Sequence, residues 1–129
     1  MAPDLPESAG MPKSDNLYSA IPANLPEELF ETLEQTGGFR LERIVSRGHV
    51  TPEGAWYDQP QAEWVVLVQG EALLRFEQEA EPRRLAPGDW LCIPPHCRHR
   101  VEWTSSRPEA VWLALHYPEP VRTEPLESE

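Results

Sequence analysis

From Phe39 onwards apolar and polar residues alternate with a period of two, the spacing that places one row of side chains on each face of a β-strand. This pattern predicts strands near Arg40–Ser46, Ala55–Asp58, Glu63–Gln69, Ala72–Phe76, Arg83–Leu85, Trp90–Ile93, Arg98–Thr104 and Ala110–Tyr117. Turn-forming clusters separate them: Thr51-Pro52-Glu53-Gly54, Gln69-Gly70-Glu71, Ala86-Pro87-Gly88-Asp89 and Ser105-Ser106-Arg107-Pro108. Many short strands at close spacing make a sandwich or a barrel, so an all-β antiparallel fold is expected.

Before Phe39 the pattern changes. Pro26–Gln35 predicts one short helix: Pro26 suits a first helical position, acids fill the first turn, and Gly37-Gly38 supplies a stop. Leu25, Leu29 and Leu33 recur at intervals of four and give that helix one apolar stripe to lay against the outside of a sheet. The expected organisation is a disordered arm over 1–17, a segment carrying the helix over 18–38, the β-barrel over 39–117 and an acidic Pro-rich tail over 118–129.

A chain of 129 residues is enough for one domain, and its 15 prolines favour short strands and loops over long helices. The formal net charge of −11 disfavours nucleic acid as a partner, because phosphate binding needs clustered Lys and Arg. Between Gly38 and Tyr117 there are eleven acidic and nine basic residues, a balance of only −2, so most of the acidity is peripheral. The polar Met1–Asn16 stretch lacks the apolar core of a signal peptide, and the longest apolar run, Trp64–Val68, is too short to span a bilayer. A cytoplasmic protein with Cys92 and Cys97 as thiols is expected.

Two stretches carry chemistry. Glu63-Trp64-Val65-Val66-Leu67-Val68-Gln69-Gly70 places a Glu six residues before a Gly, and Leu85-Ala86-Pro87-Gly88-Asp89 leads through Ile93-Pro94 to His99. In combination they resemble the two signature motifs of the cupin superfamily, over roughly Arg40 to Tyr117. The resemblance implies an antiparallel jelly-roll β-barrel whose interior holds one metal ion or one small ligand. The chain departs from the family pattern at the His-x-His pair, replaced by Trp56-Tyr57-Asp58, at the Gly now occupied by His96, and at the Asn now occupied by Trp103.

What remains of the family's ligand set is Glu63 and His99, with Asp58 as a substitute. Alternation along strands, combined with the family analogy, puts Trp56 and Asp58 on one inward row and His99, Val101 and Trp103 on the facing one. Asp58, Glu63 and His99 would then converge as ligands of a divalent ion such as Mn, Fe, Ni or Zn. His96 or Tyr57 would move protons, and Trp56 and Trp103 would form an aromatic wall of the ligand pocket.

Plainer roles stand beside each of these. Glu63 and His99 would also serve as a buried hydrogen-bonded pair, and Asp58 as a strand terminus. Cys92, His96, Cys97 and His99 make a poor zinc site, because the adjacent His96 and Cys97 can hardly reach one ion. His49 and His116 stand isolated in sequence and read as surface or packing residues. Three functional classes stay open: a metal-dependent enzyme on a small organic substrate, a non-catalytic small-molecule-binding or sensor protein, and an interaction protein. Outward Trp64 and Trp112 would suit the contact of a homodimer.

Overall fold

The computed structural model describes residues 10–119, and all of their regular structure is β. The strands are β1 (Leu29–Gln35), β2 (Arg40–Ser46), β3 (Ala62–Gln69), β4 (Ala72–Phe76), β5 (Arg83–Leu85), β6 (Trp90–Ile93), β7 (His99–Thr104) and β8 (Ala110–Tyr117). They form a five-stranded sheet in the order β1-β2-β8-β3-β6 and a three-stranded sheet in the order β5-β4-β7, every pairing antiparallel. This is the all-β antiparallel fold expected from the period-two pattern, in the jelly-roll form that the resemblance implies. No helix among the described residues is long and apolar enough to cross a membrane.

The core lies between the sheets. Val65 and Leu67 of β3, Leu74 and Phe76 of β4, Val101 of β7 and Trp112 of β8 bury their side chains there. On β3 the alternation sends Glu63, Val65 and Leu67 inward and Trp64, Val66 and Val68 to the other face. On β8 the inward row is Ala110, Trp112, Ala114 and His116. Trp112 is therefore core rather than a surface contact, which corrects its expected outward placement.

The expected helix over Pro26–Gln35 is absent, and Leu29–Gln35 is the edge strand β1. An interval of four between leucines is a multiple of two as well as close to one helical turn, so Leu29 and Leu33 fit either period. Tertiary pairing decides between them. Glu31 lies opposite Arg43 of β2 and accepts a hydrogen bond from its Nε at 2.7 Å. Gly37-Gly38 belongs to the β1–β2 connection, closed by a bond from Thr36 N to Phe39 O at 2.9 Å, and stops no helix. The buried Arg43 also donates to Leu17 O at 2.9 Å and Ser19 O at 2.7 Å, tying the preceding segment to this sheet. The expected terminal arm and acidic tail fall partly at residues 1–9 and 120–129, outside the described residues.

Ala55–Asp58 is not a strand; only Tyr57 makes an isolated bridge, to His99. A bulge interrupts β7 opposite Leu73 and Leu74 of β4.

Candidate functional site

A cavity of about 80 Å³ lies between the sheets. Its apolar lining comes from Ile44, Val65, Leu74, Ile93, Val101 and Trp112, and its polar groups are Glu28, Tyr57, Gln59, Glu63, His99 and His116. Strand geometry places the polar set: Glu63 is the second residue of β3, His99 opens β7, and His116, near the end of β8, lies beside Glu63 across the β3–β8 ladder.

The hydrogen bonds fix how these groups present themselves. His99 Nδ1 lies 2.8 Å from the Cys97 carbonyl oxygen, which only accepts, so Nδ1 carries the hydrogen. His99 Nε2 is left without a hydrogen bond and faces Glu63 Oε1 at 3.9 Å. Gln59 Nε2 donates to Glu63 Oε1 at 2.8 Å. His116 Nε2 donates to Glu42 Oε1 at 3.0 Å, and its buried Nδ1 has no partner among the described residues. Burial pushes the Tyr57 phenol up to about 12, with the Glu28 and Glu63 carboxylates adding to the rise. Tyr57 therefore stays a phenol at ordinary pH, a hydrogen-bond donor rather than a base.

Of the residues singled out from sequence, Glu63, His99 and Tyr57 meet at this cavity and the others do not. Asp58 is exposed and bonds to His96 Nδ1 at 2.8 Å, on the outer rim. His96, also exposed, has a left-handed backbone (φ 59°), and its N–H donates to Gln59 O at 2.7 Å. It lines a separate cleft with Cys92 and Cys97, both free thiols. Trp56 lies under the Arg98 and Arg100 guanidinium groups, 5.7 and 6.0 Å from its ring centroid. Trp103 is turned out toward Arg84, at 6.0 Å.

Both tryptophans leave the cavity for a definite reason. The Tyr57–His99 bridge sets Tyr57 inward, so its neighbours Trp56 and Asp58 point away. The β7 bulge breaks the row His99, Val101, Trp103 after its second member, and Thr104 takes the buried position instead. Trp112, Tyr57 and Phe30 supply the aromatic lining.

The metal centre implied by the resemblance finds too few donors. Among the described residues no three His, Cys, Asp or Glu side chains are grouped to hold an ion. Glu63 and His99 form a two-donor remnant, and the residues present do not fit a family-type metal site. His116, Glu42 and Glu28 were missed from sequence. Alternation from Ala110 through Trp112 and Ala114 does point His116 inward, whereas Glu28 was hidden by the helix expectation.

Residues 46–116 match the family described as cupin domain. A crystal structure from Ralstonia eutropha JMP134, of a protein provisionally named a mannose-6-phosphate isomerase, is 46% identical and superposes with a TM-score of 0.81, over 84% of this chain and 100% of that one. An RmlC-like cupin with a double-stranded β-helix fold from Methanocaldococcus jannaschii is 17% identical, with a TM-score of 0.61 over 84% and 94% of the two chains. KdgF from Halomonas sp. is 22% identical, with a TM-score of 0.59 over 74% and 84%. The last two are likenesses of fold. No curated protein matches the chain.

Proposed function

The chain belongs to the cupin family, and from that premise we propose that it binds a small organic molecule in the barrel cavity, with Glu63 and His99 as the polar contacts. The observation that carries this is the 3.9 Å separation of His99 Nε2 and Glu63 Oε1. That is too long for a hydrogen bond and leaves room for one donor atom to bond both. A carboxylate and an imidazole inside an apolar barrel are costly unless something satisfies them. A ligand hydrogen-bond donor does so, while the apolar floor takes its carbon skeleton.

The same pair has the parts for proton transfer on a bound ligand. His99, its Nδ1–H fixed by Cys97 O, accepts or returns a proton at Nε2, and Tyr57 donates without ionising. The 46% identical relative is provisionally named a mannose-6-phosphate isomerase, and an isomerisation that moves a proton between neighbouring carbons would use such a pair. The phosphate in that name finds no match, since among the described residues no Lys or Arg lines the cavity. Among the described residues a divalent ion held here would have only Glu63 and His99 as protein donors, so we assign the chain no metal-dependent step.

Thermal-shift titration with four-carbon amines, alcohols and carboxylates tests the proposal. A ligand at a hundred times its Kd adds about 2.7 kcal/mol to stability. A rise that grows with the logarithm of ligand concentration above Kd is expected in the wild type and lost in His99→Ala. A rise that persists in His99→Ala and in Glu63→Ala would place the binding elsewhere.

A further inference from the structure

The wall of the cavity is selective in charge, and this inference rests on the reading that the cavity takes a small organic molecule. Glu42, behind His116, is compensated: Arg40 Nε lies 3.3 Å from it and His116 Nε2 3.0 Å. Glu28 and Glu63 are not. Glu28 accepts from Ser46 Oγ and Glu63 from Gln59 Nε2, and neither forms an ion pair with Lys or Arg among the described residues. Glu63 is only 7% exposed, which makes an uncompensated carboxylate costly there.

The His99 imidazole in the same wall also has a nitrogen to offer: its Nε2 makes no hydrogen bond among the described residues. The carboxylates are felt across the cavity, since Glu28 and Glu63 both raise the Tyr57 phenol beyond what burial does. Phe30, Tyr57 and Trp112 add aromatic rings, which attract a cation within about 6 Å. The wall thus offers acceptors, negative charge and aromatic rings, and, among the described residues, no cationic side chain of the Lys or Arg type.

We propose that the ligand of this cavity is a small organic cation, an alkylamine whose ammonium group is held by Glu63 and His99. An N–H donor about 2.9 Å from each acceptor fits between atoms that are 3.9 Å apart. Glu28 is the second, longer-range carboxylate, and Val65, Leu74 and Val101 take the alkyl chain. The uncompensated charge of Glu28 and Glu63 repels a carboxylate or phosphate of the same size.

Calorimetric titration of the full chain at neutral pH with n-butylamine, n-butanol and butyrate tests this, because the three share a skeleton and differ in charge. The amine should bind about tenfold or more tighter than the alcohol, and butyrate should not bind measurably. Glu63→Gln, which keeps the volume, should reduce that preference about tenfold with the fold intact by circular dichroism. Glu28→Gln should reduce it less. Equal or tighter binding of butanol or butyrate, lost in His99→Ala, would overturn the cation while leaving a small-molecule cavity standing. Silence from all three probes would overturn both. Stoichiometric binding of Mn²⁺ alone that disappears in Glu63→Gln would replace the amine with a metal ion.

Discussion

Tyr57 lies over the His99 imidazole, with ring centroids 5.5 Å apart and planes 26° from parallel. Their main chains bond reciprocally, Tyr57 N to His99 O at 2.7 Å and His99 N to Tyr57 O at 3.2 Å. Phe76 flanks the same imidazole at 5.7 Å. His99 is thus held between two aromatic rings and the Cys97 carbonyl, so its free nitrogen has one direction to face, toward Glu63.

Tyr57 should ionise only at a pH well above that of an ordinary phenol. Its value is raised from 10.0 to about 12, so the unfolded chain loses this proton before the folded chain does. The associated stability is fully present below pH 10 and is lost as pH rises from 10 to about 12. Tyr57→Phe should flatten that decline and remove the last phase of phenolate absorbance. Tyr117 is also raised, first by its hydrogen bond with Cys92, and its phase should survive the substitution. Loss of no late phase in Tyr57→Phe would show that Tyr57 is not enclosed by Glu28 and Glu63.

Asp58 and His96 should be dispensable for the cavity. Their pair is exposed, and exposed pairs contribute about 0–1 kcal/mol. Asp58→Ala and His96→Ala should each shift the denaturation midpoint little and leave ligand binding unchanged. A large loss of binding in Asp58→Ala would restore the residue to the site.

The strands were legible because period two is a strong signal where one face is buried: Arg40–Ser46, Ala72–Phe76, Trp90–Ile93 and Ala110–Tyr117 stand as expected. Glu63 and His99 were legible through the motif spacing and do meet. Three things were not. Leu29 and Leu33 satisfy two periods at once, and only the partner strand β2 chooses between them. Trp56 and Tyr57 differ by one position, which reverses the face, and only the bridge to His99 sets that register. Trp103 follows a bulge that has no marker in its own residues.

Gly70 should tolerate substitution far worse than Gly54. Both have a positive φ, 83° and 82°, so both carry the strain of an alanine there. A Cβ at Gly70 would also lie 2.8 Å from Ala110 Cα and from Glu109 O, whereas nothing lies within 4 Å of one at Gly54. Gly54→Ala is expected to cost about 1–2 kcal/mol in chemical denaturation, and Gly70→Ala clearly more. Equal costs would contradict the close approach of the β3–β4 turn to β8.

The chain is expected to dimerise through the outer face near the edge strand β6. Trp64 stacks on Trp90 there with centroids 5.8 Å apart, and Trp90 is 58% exposed. Light scattering should report twice the chain mass for the wild type and one chain mass for Trp90→Glu. A wild type that stays monomeric at high concentration would refute the contact.

The most direct test of the central claim, that the cavity bounded by Glu63 and His99 is the ligand site, is nuclear magnetic resonance mapping of a bound four-carbon amine. Saturable shifts should appear in the His99 imidazole and in methyl groups of Val65, Leu74, Ile93 and Val101, which line that cavity. They should disappear in Glu63→Ala with the barrel still folded. Saturable shifts confined to the His96 and Cys92 cleft or to the outer Trp64–Trp90 face, with the cavity methyls unmoved, would contradict the account.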